Sequence, residues 1–167
     1  MTKKSGIFKH YEEITEILNK ISIFGGLSQE QLKRIFPLLK KKKYKQGEFI
    51  FKKGDSPENI YIIQSGKVKI VEEMKEETFQ IVEFDTGDCF GETELIGIFP
   101  YIASAVVSED AVLIILNKKN IYSLSKEDIK LFSMVILNIA RESCRRLAVA
   151  DKDMFRLMRE YKQSQNL

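Results

Sequence analysis

The stretch Ile60-Tyr61-Ile62-Ile63-Gln64-Ser65-Gly66-Lys67-Val68-Lys69-Ile70-Val71 decides the fold class. Four β-favouring apolar residues run without a break. A Gln-Ser-Gly turn signal follows, and Val68 and Ile70 then alternate with lysines. Runs this short, with period two and turn residues between them, fit strands. Ser65-Gly66 between two apolar runs predicts a hairpin. The same texture extends both ways: Phe49-Ile50-Phe51 lies upstream, and runs at 79–84, 103–107 and 111–116 lie downstream. Gly47, Lys53-Gly54-Asp55, Thr86-Gly87-Asp88 and Ser108-Glu109-Asp110 punctuate them. Closely spaced strands with turns between them indicate a β-sandwich or barrel. The lack of a βαβ rhythm argues against a Rossmann or P-loop enzyme.

Helical patterns flank this block. Tyr11, Ile14, Ile17, Leu18 and Ile21 recur at helical spacing, and Phe24-Gly25-Gly26 breaks the pattern. Ser28 with Gln31 has the form of a capping box, opening a second helix that carries Leu32, Ile35, Phe36 and Leu39. The Lys40–Lys43 run then reads as the cationic end of that helix. Downstream, Leu137, Ala140, Cys144, Leu147, Met154, Met158 and Tyr161 fall three, four or seven residues apart, with Asp151 off pattern. That spacing is the seam of a helix packing on a partner helix, and it predicts a homodimer. Glu142 and Arg146 form an i,i+4 pair in the favourable order. Three parts result: helices over 1–43, strands over 44–124, and a long helix over 125–167.

Composition narrows the functions. The chain has 167 residues, and 27 Lys+Arg against 24 Asp+Glu leave a charge of +3. Nine basic and six acidic residues fall in 126–167, so the whole surplus sits there. That is a weak footprint for nucleic acid. Two cysteines, Cys89 and Cys144, and a single histidine, His10, provide neither a disulfide scaffold nor a His- or Cys-rich metal site. No metal or cofactor is expected. The N-terminus has no signal-peptide pattern and no apolar run reaches a membrane span, so the expectation is a cytoplasmic protein.

Gly47-Glu48-Phe49-Ile50, Gly54-Asp55, Tyr61-Ile62-Ile63, Gly66-Lys67-Val68 and Gly87-Asp88-Cys89-Phe90-Gly91-Glu92 together resemble the cyclic-nucleotide-binding domain. This module occurs in catabolite-activator-type regulators, protein kinase A regulatory subunits and cyclic-nucleotide-gated channels. The segments stand in the family's order and spacing, and the resemblance covers about residues 21–146. It implies a mixed α+β, mainly β fold: an eight-stranded antiparallel double-stranded β-helix (β-roll or jelly roll). A short helix would lie within the pocket, N-terminal helices would flank the roll, and a long C-terminal helix would follow. Gly47, Gly54, Gly66 and Gly87 would be its structural glycines.

The implied pocket comprises Phe90, Gly91, Glu92, Thr93, Glu94, Leu95, Tyr101, Ile102, Ala103 and Ser104, with cAMP or cGMP as ligand. The residue matching Glu92 accepts the ribose 2′-hydroxyl in the family. Ligand-binding members carry an Arg about ten residues further on that pairs with the phosphate. Here that place holds Tyr101, and no Lys or Arg lies between Lys75 and Lys118. Arg141 or Arg145 of the C-terminal helix is a substitute to look for. The expected function is a stand-alone, non-enzymatic sensor whose C-terminal helix reports occupancy, with no catalytic residues and no direct DNA binding. Two alternatives stay open: a transcription regulator without its helix-turn-helix, and a degenerate roll acting through protein contacts.

Overall fold

The run Ile60-Tyr61-Ile62-Ile63 is apolar throughout because both faces of its strand are covered. Ile60 and Ile62 join a core shared with the helices, while Tyr61 and Ile63 point into a second core inside the roll. This strand belongs to a computed structural model that describes Leu18, residues 21–74 and residues 77–165. The expected helix around Tyr11, Ile14 and Ile17, together with His10, lies outside the described residues. Leu18 and Ile21 are buried.

The described strands are β1 (Leu39–Tyr44), β2 (Phe49–Phe51), β3 (Asn59–Met74), β4 (Glu77–Phe84), β5 (Cys89–Phe90) and β6 (Ser104–Asn117). The helices are α1 (Gln29–Ile35), α2 (Glu92–Gly97), α3 (Lys118–Glu127) and α4 (Ile129–Gln165). All strand pairings are antiparallel, in the order β1-β6-β3-β4, with β2 on β6 and β5 on β3. The result is the mixed α+β fold that the sequence suggested, a β-roll with flanking helices, although more of the described residues lie in helices than in strands.

Four local expectations are corrected. Ser65-Gly66 is not a hairpin: β3 runs straight through it, and the hairpin partner of β3 is β4, paired from Val68–Phe84 to Met74–Glu77. The β3–β6 register slips between Ile63 and Val68. Gly66, at φ +85°, lies so near β6 that a Cβ there would sit 2.3 Å from the Asp110 carbonyl oxygen. Glycine therefore marks a bulge where two long strands bend together. Ser108-Glu109-Asp110, read as a turn, is likewise the bend of a continuous β6. The described residues thus form six strands where eight were expected, because β3 and β6 each run on through the register slip without a break.

Lys40–Lys43, read as a helix end, forms β1 instead, so the β region begins at Leu39. Among the described strands β1 pairs only with β6, and its four lysines are exposed. Charged side chains on such an edge block pairing with other chains. The long helix expected over 125–167 begins at Ile129, as α4, and a separate helix, α3, precedes it from Lys118, where the Asn117 Oδ1 accepts from the Lys119 N–H at 2.9 Å.

The capping box forms as read. Gln31 N–H donates to Ser28 Oγ at 3.2 Å, and Ser28 N–H donates to Gln31 Oε1 at 2.8 Å. α4 has 37 residues, about 55 Å of helix at 1.5 Å per residue. Its buried residues, Leu131, Val135, Asn138 and Ile139, all precede Arg141. Asn138 Nδ2 donates to the carbonyls of Ile23 at 3.3 Å and Gly25 at 2.8 Å, fixing the helix to the Phe24-Gly25 turn. No described helix is long and apolar enough to cross a membrane.

Candidate functional site

β5 ends at Phe90, Gly91 turns the chain, and α2 begins at Glu92. Gly91 has φ +80°, and a Cβ there would lie 3.1 Å from the Asn59 carbonyl oxygen and 3.2 Å from the Tyr61 ring. Only glycine holds this turn without strain. The turn delivers Glu92 to the floor of a cavity of about 150 Å³. Phe51, Ile70, Ile81, Phe84, Phe90 and Ile102 form apolar walls, with Gly91, Glu92, Thr93, Glu94, Ala103 and Arg146 completing the lining.

Seven of the ten expected pocket residues therefore line one cavity: Phe90, Gly91, Glu92, Thr93, Glu94, Ile102 and Ala103. Three lie off its wall. Leu95 is buried in the core shared with the helices. The Ser104 hydroxyl accepts from the Lys53 N–H at 3.0 Å, closing the β2 turn. Tyr101 is buried and stacks on Phe51, with ring centroids 3.6 Å apart and planes 6° from parallel. The Gly54-Asp55 turn holds its backbone: Tyr101 N–H donates to the Asp55 carbonyl at 3.0 Å, and Gly54 N–H donates to the Tyr101 carbonyl at 2.8 Å. Burial pushes the phenol well above its ordinary range, so it stays neutral. Position 101 brings an aromatic packing partner where a cation was looked for. Gly47, Gly54 and Gly87 also adopt positive φ, as turn glycines should.

The cavity's cation comes from α4, and it is Arg146 rather than Arg141 or Arg145. Arg146 Nη1 donates to Glu92 Oε1 at 2.7 Å, and Nη2 donates to the Cys89 carbonyl. Its Nε lies 3.6 Å from Glu142 Oε1, and its guanidinium carbon lies 4.9 Å from the Phe84 ring centroid. Arg141 instead donates to Asn138 Oδ1 at 3.0 Å, and Arg145 pairs with Glu142 at 2.9 Å. The one trace in the sequence was the Glu142–Arg146 spacing, which puts both on the docked face of α4.

Glu92 has 0% exposure, and its Oε2 has no hydrogen-bond partner. Burial pushes its carboxyl above the usual range, against the opposing pull of Arg146. Removing a carboxylate from water disfavours its charge, and a guanidinium in contact restores part of it. Cys89 beneath this pair is pushed to about 12, first by burial and then by the Glu92 charge. No group of three His, Cys, Asp or Glu among the described residues is placed to hold a metal ion.

The expected dimer residues lie elsewhere on α4. Leu137, Ala140, Cys144, Leu147, Met154 and Met158 are all exposed, on a face distinct from the one carrying Val135, Ile139 and Arg146.

Similarity to known proteins agrees with this geometry. The family model of the cyclic nucleotide-binding domain matches residues 41–128. The cGMP-dependent protein kinase egl-4 of Caenorhabditis briggsae is 29% identical over 99 residues, 58% of this chain and 13% of the kinase. The cyclic AMP receptor protein of Thermus thermophilus is 30% identical over 135 residues, 79% of this chain and 60% of the receptor. This chain thus spans less than two thirds of either relative. Among solved structures, a cyclic nucleotide-binding domain from Methylobacillus flagellatus KT superposes with a TM-score of 0.78 at 24% identity. It covers 88% of this chain and 83% of that one. With more than half of its residues matched by that family model, the chain belongs to the cyclic nucleotide-binding domain family.

Proposed function

We propose that this chain is a non-enzymatic, cytoplasmic signalling module: its β-roll takes up a cyclic nucleotide, cAMP or cGMP, or a related small effector, and α4 reports occupancy. The observation that carries this reading is the position of Arg146. One residue of the long helix lines the cavity and holds its buried carboxylate at 2.7 Å. Anything that enters beside Glu92 alters the balance of the contact that docks α4 beyond Ile139. A non-catalytic role fits the ionisable groups of the lining, which are Glu92, Glu94 and Arg146. Glu92 is committed to an ion pair, and the buried thiol of Cys89 is held protonated, so neither is poised to attack a bond.

The exposed apolar face of α4 supports the second part of the reading, a homodimer. Leu147, Met154 and Met158 are 62%, 46% and 51% exposed along the heptad stripe. A second α4 against it would bury those side chains in knobs-into-holes packing. The dimer would then carry a change at one pocket toward its partner.

One observation favours a different reading, a roll that works through protein contacts alone: Tyr101 occupies the expected phosphate-binding place and is stacked in the core. Titration separates the two. The purified chain is titrated calorimetrically, and melted, with cAMP, cGMP, adenosine and guanosine at millimolar concentration. A sensor gives heat with at least one of them and gains about 2.7 kcal/mol of stability at a hundredfold excess over Kd. Flat titrations and an unchanged melting temperature with all four reject it in favour of the protein-contact reading.

A further inference from the structure

Lys40–Lys43 take no part in the cavity, and their setting on β1 leaves two demands unmet. The first is charge. Across the ladder they face Ile115, Ile114, Leu113 and Val112, so the neighbouring strand supplies no counter-ion. Among the described residues no ion pair includes any of the four. Successive strand residues project to opposite faces, which puts Lys40 and Lys42 on one side of the sheet and Lys41 and Lys43 on the other.

The positive strip continues past the end of the strand. β6 runs from Leu116, opposite Leu39, toward α3, whose first turn carries Lys118 and Lys119 and no acid. A helix N-terminus favours anions, so two cations there add to the uncompensated charge. Asn120 Nδ2 donates to the Leu38 carbonyl at 2.7 Å and holds this end of α3 beside β1. Glu58 adjoins through its carbonyl, which accepts from the Lys118 N–H at 2.8 Å, but its carboxylate pairs with neither lysine.

The second demand is hydrogen bonding. In an antiparallel ladder alternate residues turn their N–H and C=O away from the partner strand. β6 is the single described neighbour of β1, so those outward groups along Leu39–Tyr44 meet no other described strand. Any polyanion answers the charge, but only another backbone answers a row of donors and acceptors. A second β1 does not fit, because its lysines would face these ones at strand spacing. An extended segment with carboxylates on both faces meets both demands, since main-chain bonds supply affinity and side chains select.

We infer that the outer edge of β1 is a docking site for an acidic, extended segment of a partner protein. The segment adds a strand to the sheet while its carboxylates meet Lys40–Lys43, with Lys118 and Lys119 at the end of the strip. The lysines that keep two copies of β1 apart thus admit a strand of opposite sign. None of these residues lines the cavity, so the inference stands or falls apart from the sensor reading.

The test is fluorescence anisotropy of a labelled, capped peptide, Thr-Glu-Glu-Val-Glu-Glu-Thr, titrated with the full chain. Its glutamates fall two on each face, as the lysines do. Binding is expected, and it should weaken as salt rises. The same peptide with Gln for each Glu should bind at least about tenfold more weakly. So should the peptide N-methylated at Val and at the following Glu, which blocks both of its edges and keeps its charge. Lys40→Gln with Lys42→Gln changes exposed side chains only, and circular dichroism verifies the fold; affinity should fall about tenfold, the combined weight of two exposed ion pairs. Equal binding of the Gln or the N-methylated peptide, or unchanged affinity in the folded variant, overturns the inference. An oligo-dT or phosphatidylserine vesicles held more tightly than the peptide by the same lysines assigns the strip to nucleic acid or membrane and overturns it. Growth in mass of the chain alone that the variant abolishes assigns the edge to a second copy and also overturns it, as does silence at millimolar peptide.

Discussion

Replacing Arg146 with Met keeps an unbranched stem but removes the guanidinium, which lies over Phe84 and pairs with Glu92. Glu92, at 0% exposure, is then left with Thr93 Oγ1 at 3.4 Å as its remaining side-chain donor. Removing one partner of a buried ion pair costs about 3–5 kcal/mol. The Arg146 side chain is 30% exposed, so water screens part of the pair, and we expect about 2–3 kcal/mol. The reciprocal change is far milder. Glu92→Gln strands only a partly exposed guanidinium that water can reach, at a cost of about 1 kcal/mol or less. Once Glu92 is Gln, adding Arg146→Met costs little, so the double-mutant cycle returns a coupling of about 2–3 kcal/mol.

The pH dependence has a definite sign. The folded Glu92 carboxyl lies above its unfolded value, so stability falls as pH rises between the two. Without Arg146 the folded value climbs further. The deficit of Arg146→Met is then full above that value and shrinks as the pH is lowered and Glu92 takes up a proton. Urea unfolding from acidic to neutral pH measures all of this. The reasoning is refuted if Arg146→Met stays within about 0.5 kcal/mol of the parent at neutral pH, or if Glu92→Gln costs as much as Arg146→Met.

Gly66→Ala puts a Cβ 2.3 Å from the Asp110 carbonyl oxygen at a φ of +85°, and backbone must move to accept it; a loss of about 3 kcal/mol in urea unfolding is expected. The two thiols should differ sharply: Cys144, exposed on the single chain and on the proposed dimer stripe, reacts with a thiol reagent at neutral pH once that stripe is uncovered in the monomeric variant below, whereas buried Cys89, pushed to about 12, reacts only on unfolding. Two reactive thiols in the native protein would contradict the packing beneath Arg146. Leu147→Glu with Met154→Glu places charge on the stripe of α4, and the mass by light scattering should fall from dimer to monomer with the melting of the roll unchanged. A parent chain that is already monomeric at micromolar concentration removes the dimer.

Much of this architecture could be read from residue pattern, and the failures share a physical cause. Ile60-Tyr61-Ile62-Ile63 and the turn glycines sufficed for a β-roll because strand period and turn chemistry are local. Gly66 was misread as a hairpin because glycine is required equally by a tight turn and by a bulge under a crossing strand. Only the position of Asp110 distinguishes them. Lys40–Lys43 was read as a helix end because four lysines carry no period, and their role as an exposed edge depends on β1 having a single neighbour.

The site divides the same way. Gly91 and Glu92 were legible from their motif, and so was the absence of a basic residue at 101. Arg146 was not, because its entry into the cavity depends on the rotation of α4 about its axis. Asn138 and the Phe24-Gly25 turn set that rotation at a sequence separation of more than a hundred residues. The i,i+4 relation to Glu142 marked a helix face without saying what that face meets.

The central claim is that the cavity and the long helix are coupled through Arg146, and amide hydrogen exchange along α4 tests it most directly. Exchange is followed in the full chain alone and with saturating adenosine or cAMP, whichever binds. The account predicts slower exchange around Arg146, over residues 140–149, when the cavity is filled, and loss of that protection in Arg146→Met. A ligand that binds in the cavity while exchange throughout α4 stays unchanged would contradict it.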